Sequence, residues 1–183
     1  MRKVIAGLFI SLDGVVEAPE KWHFPYFNEK MQEAVGSSMA DADAMLLGRV
    51  TYAEWTGYWP AQGDDDPVAR YMNATPKFVV SRTLDTVEWN NSTLIKGDVA
   101  QQIASLKQQP GKNILLSGSG TLVQWLIQAD LLDELRLLVH PVLVGSGKRL
   151  FTGGRDQKGL RLVDSQAFST GVVQLIYAPA EPA

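Results

Sequence analysis

The chain has 183 residues, 45% of them hydrophobic and 20% charged, with a formal net charge of −3. That length can bury one sizeable core, and the mildly negative charge offers nothing to nucleic acid or an anionic membrane surface. The absence of cysteine excludes disulfides, thiolate catalysis and Cys-ligated zinc. The N-terminus lacks a signal peptide's small-residue cleavage pattern, and no stretch reaches the roughly 18 apolar residues of a membrane span. A cytoplasmic protein is the expectation.

Val4 to Ile10 is a continuous apolar run of strand length, suited to a strand buried on both faces. Ser11-Leu12-Asp13-Gly14 ends it. In an open α/β sheet the carboxyl end of such a strand is where ligands bind; the other reading is a plain turn capped by Asp13. Glu17 to Phe27 reads as a loop carrying Trp22, Phe24, Tyr26 and Phe27, rings that either stack on a flat substrate or form satellite core. His23, on the same loop, is a proton donor or a surface imidazole. Asn28 to Ala40 is helical, with Met31, Val35 and Met39 on one stripe.

Ala44 to Leu47 is a second strand, followed by Gly48-Arg49-Val50-Thr51 and a short helix from Thr51 to Trp59. Gln62 to Pro67 is an acidic surface loop, and Val68 to Met72 a helical turn. Lys77 to Val80 is a third strand ending in Ser81-Arg82-Thr83. Asp98 opens a helix with the capping-box spacing Asp98-x-x-Gln101, and Pro110-Gly111 ends it. The run from Asn113 to Ser117 then passes through Gly118-Ser119-Gly120 into an apolar helix ending near Ala129. Leu135 to Val144 reads as a strand in which His140 is structural and Pro141 marks an edge or bulge. Leu160 to Phe168 and Gly171 to Ala178 form an antiparallel hairpin. The order predicts an α/β fold, mostly parallel with helices on both faces and an antiparallel C-terminal hairpin. Residues 1–178 read as one domain and 179–183 as a disordered tail.

Three strand ends carry groups suited to an anion: Gly48, Arg49 and Thr51; Ser81, Arg82 and Thr83; and Gly118, Ser119, Gly120, Thr121 and Leu122. A pyrophosphate sits best over a helix N-terminus, where N–H groups converge and glycine lets the backbone approach. A ribose 2′-phosphate calls for the forked donors of an arginine, Arg82 or Arg49. With no acidic residue in these loops, NADPH is favoured over NADH. The Rossmann fingerprint itself is absent: Val123 stands where its third glycine would be, and the motif comes late in the chain.

Ser11-Leu12-Asp13-Gly14, Leu46-Leu47-Gly48-Arg49-Val50-Thr51-Tyr52, Lys77 to Leu84, Gly118 to Leu122, Leu131 to Leu135 and Pro141 to Lys148 appear in the order of a known family. The chain resembles the dihydrofolate reductase-like superfamily, and within it the riboflavin-biosynthesis reductase branch and its stand-alone relatives. The resemblance implies a three-layer α/β/α sandwich and an NADPH-dependent reductase acting on a small heterocyclic substrate. It places the three loops on the cofactor and the Ser11 to Gly14 turn near nicotinamide and substrate. Asp13 is the catalytic candidate; Ser11, Trp22, Glu29 and Lys148 are the substrate-side candidates, with Arg149 and Lys21 as further basic groups for a phosphorylated substrate. A pterin reductase would need an inward carboxylate, for which Glu29 is the available residue. The alternatives are such a pterin reductase or a non-catalytic NADPH-binding protein. Deamination is not expected, because a Cys-ligated zinc site is impossible without cysteine. A homodimer is expected from the resemblance, with the apolar Leu131 to Val144 region as its contact.

Overall fold

The computed structural model describes residues 1–63, 65–153 and 156–180. Its strands are β1 (Val4–Ser11), β2 (Ala42–Gly48), β3 (Lys77–Val80), β4 (Ser92–Ile95), β5 (Asn113–Ser117), β6 (Glu134–His140), β7 (Leu160–Ala167) and β8 (Val173–Pro179). The helices are α1 (Glu29–Ala40), α2 (Arg49–Thr56), α3 (Pro67–Ala74), α4 (Val99–Gln108) and α5 (Gly120–Gln128). All strands join one sheet in the order β4-β3-β2-β5-β1-β6-β8-β7. The pairings from β4 through β6 are parallel; β8 runs antiparallel to both β6 and β7.

Strand alternation builds two cores from β1. Val4, Ala6, Leu8 and Ile10 face one way, where they pack with Ile103 and Leu106 of α4 and Leu122, Val123 and Leu126 of α5. Phe9 faces the other way, against Met31 of α1 and Leu138. Ile5 joins Leu115 and Met39 on that side. Farther along the sheet, Met45, Leu47 and Val79 pack on Tyr52 of α2 and Met72 of α3. Helices on both faces give the three-layer α/β/α sandwich expected of a dihydrofolate reductase-like fold.

Beneath the second of these faces Lys77 is fully buried. Its ammonium donates to the carbonyls of Thr75 at 2.7 Å, Asn90 at 3.0 Å and Asn73 at 3.3 Å, and lies 4.3 Å from the Trp89 ring centroid. Burial lowers its pKa to about 8. The side chain acts as an internal clamp on the segments flanking β3.

Some expectations shift. β4 has no counterpart in the sequence reading, because four residues beginning Ser92-Thr93 at a sheet edge show little apolar periodicity. α2 begins at Arg49 and ends at Thr56, not at Thr51 and Trp59. β6 ends at His140, so Pro141 falls just outside it, and β6 is an interior strand between β1 and β8. The apolar density of that region is therefore spent inside the sheet. The exposed edge is β7, all of whose residues are open to solvent. Pro179 still pairs with Leu160 and the Ala180 N–H donates to the Gly159 carbonyl, so the ordered chain runs past 178. Asp64 of the acidic loop and residues 181–183 of the expected tail lie outside the described residues. Among the described residues no helix is long and apolar enough to cross a membrane, and no cluster of residues suits a metal ion.

Candidate active site

The strand order fixes which loops are neighbours. Along the carboxyl edge of the parallel strands come the ends of β3, β2, β5, β1 and β6. The three sequence-predicted cofactor loops therefore form one contiguous row, and the Ser11 turn follows beside it.

The middle of that row is stitched by hydroxyls. The Gly48 N–H donates to Ser119 Oγ at 2.9 Å, and the Ser119 hydroxyl and N–H both reach Thr51 Oγ1, at 2.9 and 3.0 Å. Glycine is required where these loops touch. Gly118 has φ +68°, and a Cβ there would lie 3.2 Å from the Thr51 side chain. Ser119 is itself left-handed at φ 52°, a conformation that its hydrogen bonds hold.

The helix starts differ in a telling way. α1, α3 and α4 are each capped by a side chain: Asn28 accepts from Met31 N–H, Asp66 from Val68 and Asp98 from Gln101. α2 and α5, which begin at the two stitched loops, have no side-chain cap. The first N–H groups of a helix lack intrahelical partners, so these two ends keep donors available, with the positive end of the macrodipole behind them. Arg49 and Arg82 are exposed at the edge of the row and make no ion pair with a described residue. Thr83 and Thr121 are exposed beside them, whereas Leu122 packs into the core under α5. Ser81 is buried and its Oγ accepts from the N–H groups of Thr83 and Leu84 at 3.1 and 3.0 Å, so it shapes the loop that presents Arg82.

In the β1/β6 half, Asp13 works as a latch. Its carboxylate accepts from the Ser11 hydroxyl at 2.6 Å and from the N–H groups of Val144 and Gly145 at 3.1 and 2.9 Å. Arg149 donates to the Asp13 carbonyl at 2.9 Å. The Ser11 hydroxyl, followed by those two backbone donors, pulls the Asp13 pKa from 3.8 to about 2. Ser11 Oγ also accepts from Val15 N–H at 2.8 Å. Lys148 is exposed and 3.3 Å from Glu17, Lys21 is exposed, and Glu29 is exposed at the first residue of α1. The structure does not bring Glu29 or Lys148 into a pocket with Asp13.

The aromatic segment packs onto the sheet. His140 is fully buried and meets Trp22 at 5.2 Å, Phe9 at 5.6 Å, Tyr26 at 5.9 Å and His23 at 6.1 Å between ring centroids, all near edge-on. His23 is 7% exposed, which rules out a surface imidazole. Burial lowers its pKa, reinforced by His140 and opposed by Glu20. Burial also lowers the pKa of His140, against the Leu138 and Ile10 carbonyls. The sequence holds one hint of this cluster. Leu138 and His140 alternate onto one face of β6, and register pairs them with Phe9 and Ser11 of β1.

The comparisons with known proteins bear on this arrangement. The family model described as the RibD C-terminal domain matches residues 2–174. The chain belongs to the RibD C-terminal domain family. It is 32% identical to the uncharacterized protein YyaP of Bacillus subtilis (strain 168), covering 96% of this chain and 94% of that one. A Shewanella sp. PV-4 protein with a provisional riboflavin-biosynthesis designation has the same fold, at TM-score 0.79 and 23% identity, with 99% of this chain and 100% of that one covered. The fold also matches a diaminohydroxyphosphoribosylaminopyrimidine deaminase/5-amino-6-(5-phosphoribosylamino)uracil reductase from Thermotoga maritima at TM-score 0.68 and 15% identity. There 98% of this chain aligns with 57% of the larger protein. Within the RibD C-terminal domain fold of this chain, the candidate site divides into a glycine-rich half with free helix ends and an aromatic half with buried histidines.

Proposed function

We propose that this member of the RibD C-terminal domain family is an NADPH-dependent reductase of a small heterocyclic substrate, resembling the 5-amino-6-(5-phosphoribosylamino)uracil reductase of riboflavin biosynthesis. One observation carries the reading. Among the described α-helices, the two at the stitched loops are the ones without a side-chain cap, while α1, α3 and α4 are capped by Asn28, Asp66 and Asp98. Uncapped ends beside glycines suit a pyrophosphate, and the exposed arginines at their flank suit a 2′-phosphate. When bound, NADPH supplies the hydride.

The chain's own residues then bind and orient. Gly48, Arg49 and Thr51, with Gly118 to Leu122, form the phosphate row, and Arg82, presented by the Ser81 turn between it and Thr83, takes the 2′-phosphate. Asp13 positions the loop after β6 beside the reaction site. Its carboxylate is held ionised by its donors, which suits a latch better than a proton donor. Trp22 and Ser11 belong to the substrate side. The expected homodimer belongs with this reading, and Leu160, Leu162 and Val163 on the exposed β7 edge offer it an apolar surface.

Titration of Arg82→Ala with NADPH and NADH tests the assignment. A charge-assisted contact is worth about 1.5–3 kcal/mol, so NADPH affinity should fall tenfold or more while NADH affinity changes little. Equal losses for both would move the role to Arg49.

A further inference from the structure

On the α1 face of the sheet, at the carboxyl ends of β1 and β6, a ring slot is filled by one of the protein's own rings. His23 carries a planar nitrogen heterocycle. It stacks on Phe9 with centroids 4.7 Å apart and planes 18° apart, with Phe24 4.2 Å away on a tilted plane and Phe27 edge-on at 5.7 Å. The slot thus holds an object of the shape and chemistry that a heterocyclic substrate would have.

Two nitrogens in this slot are unused. His23 Nδ1 and His140 Nε2 are both buried without a hydrogen-bond partner among the described residues. His140 Nδ1 lies 2.8 Å from the Leu138 carbonyl, which requires the proton on Nδ1. In the neutral ring Nε2 is therefore an acceptor, at the end of the imidazole remote from its own backbone. A buried acceptor left unpaired is destabilising. The bond to Leu138 accounts for Nδ1 and leaves Nε2 to be explained.

The segment that delivers His23 has an unfavourable backbone conformation at its root and an exposed outer side. It hangs from Ala18, a non-glycine residue at φ 47° and ψ 52°, in the left-handed region that disfavours a Cβ. Its outer rings are open to solvent, with Phe24 63% exposed and Phe27 38% exposed.

We propose that residues 18–27 are a resident plug, that a planar heterocycle replaces the His23 ring on Phe9, and that His140 Nε2 accepts a hydrogen bond from an N–H at that heterocycle's edge. The inference rests on the reductase reading for the identity of this slot as the substrate side. It goes further in naming the recognition group and the ligand chemistry: ring systems with an edge N–H, such as aminouracils and pterins, are preferred over flat rings with carbonyls alone.

The test uses 5,6-diaminouracil and, as a donor-free flat ring, menadione. Wild-type protein with nitrogen-15-labelled histidine is titrated with each, and the His140 ring nitrogens are followed by NMR. Diaminouracil should shift the Nε2 signal toward its hydrogen-bonded position while Nδ1 stays protonated, and should quench Trp22; menadione should leave Nε2 unmoved. His140→Phe should weaken diaminouracil about tenfold or more and leave NADPH affinity unchanged. The proposal is overturned if diaminouracil does not bind at millimolar concentration, if it binds without moving Nε2, or if a folded His140→Phe binds it as well as wild type. NADPH affinity is read separately. Its failure would remove the reductase reading while leaving the His140 result to stand or fall by itself.

Discussion

The two halves of the carboxyl edge are prepared in opposite ways. The glycine half is held open. Its loops are locked to each other by the Gly48, Thr51 and Ser119 hydrogen bonds, and its helix ends carry no side-chain cap. The aromatic half is closed, filled by His23 and roofed by Trp22 and Tyr26 over His140. Rigid preorganisation suits a ligand common to every turnover, because less ordering entropy is lost on binding. A filled slot excludes water until the right ring displaces the plug, which is the arrangement expected for the variable partner.

The comparison breaks most severely at Gly118. Gly118→Val places a branched side chain at positive φ and against Thr51, so it should destabilise the fold by more than about 2 kcal/mol and abolish NADPH binding. Thermal unfolding and NADPH titration together check this. Thr51→Val comes next, since it leaves the Ser119 N–H and hydroxyl without an acceptor at a partly buried contact. A loss of about 1–3 kcal/mol is expected in chemical denaturation, with weaker NADPH binding and unchanged diaminouracil binding. Equal weakening of both ligands would mean that the halves are not independent.

Acid should act on the aromatic half first. The folded-state pKa values of His23 and His140 lie below 6.5 because burial disfavours the imidazolium. The unfolded chain therefore takes up protons near 6.5 while the folded chain does not. Stability should fall as the pH drops from 6.5 toward the lowered folded values. Asp13 acts in a separate, lower window. Its contribution is intact above 3.8 and is lost as the pH falls through 3.8 to about 2. Denaturant midpoints against pH should show two steps, and His23→Phe should flatten the first. The smallest expected effect is that of the same variant at neutral pH. Phenylalanine keeps the stack on Phe9 and removes the unpaired Nδ1, so His23→Phe should stabilise the protein by about 1 kcal/mol.

The two halves also differ in how far the sequence discloses them. Glycines and hydroxyls directly after apolar runs are local signals, and the parallel sheet then places Gly48, Ser81 and Gly118 on one edge. The aromatic half depends on β1 lying beside β6, which brings Ser11 into register with His140. It also depends on a loop folding back onto that pair. Neither relation has a local pattern, so His23 reads as either a proton donor or a surface imidazole and His140 as structural. The role of Asp13 is hidden for the same reason, because its backbone donors, Val144 and Gly145, come from a distant loop. The capped and uncapped helices show a third limit: Asp98-x-x-Gln101 announces a cap, but an absent cap is visible only in three dimensions.

Isothermal titration of the wild-type protein with NADPH tests the central claim most directly. The account predicts saturable one-site binding, tighter than that of NADH and weakened by Arg82→Ala. No saturable binding at millimolar NADPH would contradict it.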